Sequence, residues 1–160
     1  MPKTAIYPGS FDPVTNGHLD VLKRGLKIFD KIIIAVGEHP SKKTLFSVEE
    51  RIEMLKEATK GMKNVEIEHF SGLLIDYVKK KGAVVVLRGL RAVSDFEYEL
   101  QYALMNRKLD DSIETVFIMT RGMYCYLSAS IVKDAASLGA KLDGMVPKMV
   151  EKRLREKFRV

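Results

Sequence analysis

The chain has 160 residues and a mass of 18.1 kDa; 46% of the residues are hydrophobic, 30% charged and 8% aromatic. That length allows one ordinary domain burying about two-thirds of its unfolded surface without metals or disulfides, and that composition excludes a disordered or fibrous chain. The 27 Lys and Arg against 21 Asp and Glu leave a net charge of +6, which alone admits nucleic acid, an anionic membrane or phosphorylated small molecules as partners.

Taken in chain order, apolar runs alternate with amphipathic segments. Thr4 to Tyr7 reads as a strand, followed by a helical stretch with Leu19, Leu22, Leu26 and Phe29 on one face. Lys31 to Val36 is the second strand, continuous enough in apolar residues to be covered on both faces. Ser47 followed by Glu50 is a capping-box signature for a second helix carrying Ile52, Leu55 and Thr59. Val65 to Phe70 is the third strand, and a helix over Leu73 to Lys81 ends at Gly82. Ala83 to Leu87 is the fourth strand, again continuously apolar, and Thr115 to Met119 the fifth. Helices are predicted at Asp95 to Leu109, Ser128 to Ser137 and about 147–159.

Strand–helix alternation of this kind implies right-handed crossovers and a five-stranded, mainly parallel sheet with helices on both faces: an α/β, Rossmann-like fold, with one domain over 1–160. No stretch approaches the ~18 apolar residues of a membrane span, so none is expected. Residues 1–11 lack the basic and apolar regions of a secretory signal. The single cysteine, Cys125, suits a reducing, cytoplasmic setting.

In such folds ligands sit outside the carboxyl ends of the strands. After the first strand comes Pro8-Gly9-Ser10-Phe11-Asp12-Pro13-Val14-Thr15-Asn16-Gly17-His18, a tight loop running into a helix start. Free N–H groups there favour an anion, and His18 can donate to it; a plain capping loop reads equally well. Lys42 follows the second strand, and Arg88 and Arg91 follow the fourth, so the three cations can converge on one polyanion. Tyr124 to Ser130 sets aromatics before hydroxyls at a helix start, which suits either a flat base with a phosphate or an N-cap with core tyrosines. The usual glycine fingerprints for phosphate are absent, and His39 and His69 lack metal-ligand spacing. Of the +6, +4 falls in residues 148–160, where six basic residues face Glu151 and Glu156.

These residues resemble a known family. The run Ala5 to His18, then Pro40-Ser41-Lys42-Lys43, then Arg88-Gly89-Leu90-Arg91-Ala92-Val93-Ser94-Asp95-Phe96-Glu97-Tyr98-Glu99, is similar to bacterial phosphopantetheine adenylyltransferases, a branch of the nucleotidyltransferases that carry a (His/Thr)-x-Gly-His motif. The resemblance implies transfer of adenylate from ATP to 4'-phosphopantetheine by in-line attack on the α-phosphate, giving dephospho-coenzyme A and pyrophosphate. It implies that His18 stabilises charge on the α-phosphate, and that Ser10, Lys42 and Arg88 hold the two reacting phosphates, with Leu74 lining the pantetheine side. Phe11, Gly89, Leu90, Arg91, Glu99 and the segment Tyr124, Cys125, Tyr126, Leu127, Ser128, Ala129, Ser130 are implied to contact ATP. Mg²⁺ on the ATP phosphates without assigned protein ligands, a homohexamer and inhibition by coenzyme A are implied too. Ser10 stands where the family often has Thr, and Ser128-Ala129-Ser130 where it commonly has three serines. The rival readings are a sister nucleotidyltransferase acting on nicotinate mononucleotide or glycerol phosphate, and a basic nucleic-acid-binding module using the C-terminal helix; neither nucleic acid nor membrane is expected as a partner.

Overall fold

The structure, a computed structural model, describes residues 3–160, so the first two residues of the expected domain lie outside it. In chain order the elements are β1 (Thr4–Gly9), α1 (Asn16–Gly25), β2 (Lys31–Gly37), α2 (Val48–Ala58), β3 (Val65–Phe70), α3 (Leu74–Lys80), β4 (Val85–Leu90), α4 (Val93–Leu109), β5 (Glu114–Met119), α5 (Ala129–Ser137) and α6 (Lys148–Phe158). The strands form one sheet in the order β3-β2-β1-β4-β5, and every neighbouring pair is parallel. The chain winds outward from β1 through β2 to β3, then returns to lay β4 on the other side of β1. The order reverses between β1 and β4, and a crevice opens at their carboxyl ends.

Alternation along the central strands divides the core. Ile32, Ile34 and Val36 of β2 join Ala5 and Tyr7 against α1, α2, α5 and α6. Ile33 and Ala35 join Ile6 and Val86 against α3. Both faces of β2 are covered, as its unbroken apolar run requires.

Most boundaries lie within two residues of the sequence reading, and two differ by more. The fourth strand begins at Val85 and runs on through Arg88-Gly89-Leu90, pairing Arg88 with Phe117 and Leu90 with Met119; Val84 is exposed before it. Gly89 makes this possible, because a Cβ there would meet Val21 Cγ2 at 2.9 Å, and so α1 can lie directly over the strand. Arg88 therefore projects from a strand rather than from the loop beyond it. The first helix closes at Gly25 with Leu26 as its cap, and Phe29 reaches the same core from the following turn.

The start and stop signals take their expected forms. Ser47 accepts from Glu50 N–H at 3.2 Å while Glu50 accepts from Ser47 N–H at 2.8 Å. Gly82, in the left-handed region at φ +63°, turns the chain after α3. Ser128 is the N-cap of α5 and accepts from Ile131 N–H at 3.1 Å. The basic helix α6 packs Val150 and Leu154 into the core and pairs Lys157 with Glu50 and Arg153 with Glu53 on α2.

Candidate active site

His18 is held by the helix it begins. Thr15, the N-cap of α1, takes the His18 backbone N–H on its hydroxyl at 3.3 Å, and its own N–H donates to His18 Nδ1 at 3.0 Å. The histidine thus fills the place Glu or Gln takes in an ordinary capping box. The Phe11 ring, at φ +49° and buried, meets the imidazole edgewise at 4.9 Å. Surrounding protein, and then the charges of Arg88 and Arg91, lower its pKa to about 4. At neutral pH the ring is uncharged, and with Nδ1 accepting, its proton sits on Nε2. Of the two roles open to it in the sequence, cation or neutral donor, its surroundings in the fold favour the donor.

Arg88 leaves β4 beside β1. Its Nε and Nη2 donate to the two oxygens of Glu99 on α4 at 2.8 and 2.5 Å, and Nη1 donates to the Pro8 carbonyl at 2.9 Å. Arg91 grips Asp95 through Nε at 3.1 Å and Nη2 at 3.2 Å, and donates from Nη1 to the Leu127 carbonyl at 3.0 Å, which ties β4 to the entry of α5. Lys42 lies on the exposed connection between β2 and α2 and makes no ion pair among the described residues.

Two cavities open at this crevice. The larger, about 740 Å³, is lined by Ser10, Phe11, His18, Lys42, Arg88, Gly89, Arg91, Glu99 and the run Leu127 to Ser130. The smaller, about 440 Å³, has an apolar wall of Phe70, Leu73, Leu74, Tyr102, Met105 and Leu109. They share Pro8, Gly9, Ser10, Lys42, Arg88, Tyr98 and Glu99. Leu90, Tyr124, Cys125 and Tyr126 line neither: Tyr124 packs on the core, Tyr126 and Cys125 are exposed, and Leu90 ends β4.

Three residues of this region carried no role in the sequence reading. Asp12, buried, accepts from the backbone N–H of Leu45 and Phe46 at 2.9 Å each and from Lys133 Nζ at 2.8 Å. Lys133, on α5, lines the larger cavity. Arg51, on α2, donates to the Ser10 carbonyl. Asp12 stood inside the loop motif, and Arg51 shares the buried stripe of α2 with Met54 and Leu55, three and four residues on; for Lys133 the only cue was its position one turn into a helix opening on the site.

Residues 6–135 match the family model described as cytidylyltransferase-like. A phosphopantetheine adenylyltransferase of Desulfatibacillum aliphaticivorans is 59% identical over 159 residues, covering 99% of this chain and 91% of that protein. The one from Caldanaerobacter subterraneus subsp. tengcongensis is 56% identical over 157 residues, covering 98% of each. In fold the chain is similar to the crystal structure of a putative nicotinate-nucleotide adenylyltransferase from Vibrio parahaemolyticus, with a TM-score of 0.73 at 16% identity, covering 99% of this chain and 96% of that one.

Proposed function

The chain belongs to the phosphopantetheine adenylyltransferase family, and from that premise we propose that it transfers the adenylyl group of ATP to the phosphate of 4'-phosphopantetheine. A phosphate oxygen of the acceptor attacks the α-phosphorus in line, the bond to the β-phosphate oxygen breaks, and pyrophosphate leaves with the electron pair; the product is dephospho-coenzyme A. The observation that carries this reading is the shared wall. A cavity wide enough for a nucleotide, with several charged side chains in its wall, and a smaller one with an apolar side meet at Ser10, Lys42 and Arg88. Two phosphates entering from opposite sides would meet there.

In this reading Ser10, Lys42 and Arg88 hold the acceptor phosphate and the α-phosphate, and Leu74 lines the pantetheine arm. Phe11, Gly89, Arg91, Glu99 and Leu127 to Ser130 surround ATP, while Leu90, Tyr124, Cys125 and Tyr126 act through the backbone course that brings those residues to it. Aligning two bound reactants supplies about 7–11 kcal/mol in favourable cases, and one preorganised donor such as His18 Nε2–H about 3–4 kcal/mol. The carboxylates described at the crevice are already engaged by cations of the chain. Asp12, Asp95 and Glu99 are taken up by Lys133, Arg91 and Arg88, and no group of three or more metal-binding side chains converges among the described residues. Mg²⁺ would therefore arrive as the counter-ion of ATP, and loss of turnover on chelation with return on adding Mg²⁺ checks this.

Incubation with ATP, Mg²⁺ and either 4'-phosphopantetheine or nicotinate mononucleotide tests the substrate. Pyrophosphate release with the first alone is the expected result, and release with the second alone overturns the reading. No helix among the described residues is long and apolar enough to cross a membrane. In this reading the enzyme serves coenzyme A synthesis in the cytoplasm, and coenzyme A inhibits it. Self-association is supported by α4, where Phe96, Leu100 and Leu104 stand exposed on one side; the homohexamer implied by the family resemblance is checked by sedimentation at about six times 18.1 kDa.

A further inference from the structure

Beneath the shared wall lies a charge whose position is unfavourable for stability on two counts. Arg51 is 1% exposed and has no ion pair among the described residues. It also sits at the start of α2, whose N-terminal end repels cations. A buried cation without a counter-ion is strongly disfavoured unless its hydrogen bonds are met. Here three carbonyls meet them: Nη1 donates to Ser10 O at 2.7 Å and to Gly37 O at 3.1 Å, and Nε donates to Ser47 O at 3.3 Å.

Those partners tie the ends of two strands to one point. Ser10 follows β1, Gly37 ends β2, and both line the smaller cavity together with Lys42. Around them the other fixed cations are cancelled one by one: Arg88 by Glu99, Arg91 by Asp95, Lys133 by Asp12. Among the described residues, the uncancelled positive charges at this end of the crevice are Lys42 and Lys43 on an exposed loop, and Arg51, which is fixed.

We infer that Arg51 is a positioning residue for the phosphate of the acceptor: its guanidinium clamps the Ser10 and Gly37 carbonyls and so sets the Ser10 hydroxyl, and it keeps a permanent positive charge under the place where that phosphate binds. The assignment rests on the proposed acceptor. It concerns discrimination of a phosphate monoester from the corresponding alcohol; Ser10 borders both cavities, but ATP has further contacts at Arg91 and Leu127 to Ser130, so its affinity is expected to change little.

The test compares binding of 4'-phosphopantetheine and of pantetheine, which lacks the phosphate, to the intact protein, by calorimetry, with ATP binding and the thermal midpoint measured alongside. The wild type is expected to prefer the phosphorylated ligand strongly. Arg51→Met is expected to lose at least about tenfold of that preference while pantetheine and ATP affinities stay within about twofold, and Arg51→Lys, which keeps the charge, is expected to recover most of it. If Arg51→Met fails to fold, Arg51→Gln carries the same readout. A folded variant that retains the full preference, or one that loses pantetheine and ATP binding in equal measure, overturns the assignment and leaves the function intact. A wild type with no preference for 4'-phosphopantetheine overturns both.

Discussion

Arg88 donates from Nε and Nη2 to both carboxylate oxygens of Glu99, at 2.8 and 2.5 Å, so the guanidinium plane at the centre of the crevice is set by a residue on another element. Its outer N–H groups remain for a phosphate. Glu99→Gln should weaken this fork and leave a half-buried guanidinium without its counter-ion, lowering stability by about 1–3 kcal/mol. Turnover should fall further than ATP affinity does. Urea unfolding and steady-state kinetics check the pair, and equal losses in kcat and ATP binding would count against an orienting role.

His18→Ala should reduce kcat by about 10²- to 10³-fold, as for removal of a preorganised donor, while the dissociation constant of ATP moves by a few-fold at most. Single-turnover kinetics with equilibrium nucleotide binding separates the two. Comparable loss in both would show that the ring serves ground-state binding instead.

The pH dependence of stability follows from the same ring. Its ordinary value near 6.5 applies in the unfolded chain, and in the free folded protein it is lowered to about 4. Between these values the unfolded chain takes up a proton that the folded one refuses. The contribution of His18 is thus fully present above about pH 6.5 and lost as pH falls towards 4, by at most about 3 kcal/mol. Urea midpoints at pH 7.5, 6 and 4.5 should fall more steeply for the wild type than for His18→Asn; parallel slopes would refute the assignment.

The basic C-terminal helix is expected to act as a structural brace. Lys157 and Arg153 reach Glu50 and Glu53 across the surface, and such pairs contribute about 0–1 kcal/mol each, so Lys157→Met should be nearly silent. Leu154, fully buried, should cost about 2–5 kcal/mol as Leu154→Ala. Thermal midpoints decide it, and tight, salt-sensitive oligonucleotide binding lost with Lys157→Met would restore the nucleic-acid reading of the charge.

What could be read in advance was whatever is encoded locally. The Ser47–Glu50 box, Gly82 after α3 and the unbroken Ile32 to Val36 run each specify their own element within a few residues. The edge of β4 was not legible, because Arg88 and Gly89 look like loop residues until α1 is seen to lie across Gly89. His18 on α1, Lys42 on a loop and Arg88 on β4 line one cavity at one end of the sheet, since parallel strands bring their carboxyl ends together. Which charge meets which carboxylate was hidden. Lys133 and Asp12 lie 121 residues apart, and Lys157 and Glu50 107, distances over which no local pattern speaks.

The capping box of α1 bears on what kind of group His18 is. Its Nδ1 is occupied by the Thr15 backbone and one side of its ring meets Phe11, so a swing of the imidazole would break that hydrogen bond and that contact. Ferrying protons between solvent and substrate by rotation would cost the side chain that hydrogen bond. The geometry suits a fixed dipole in the wall of the crevice, aimed by the helix start that holds it.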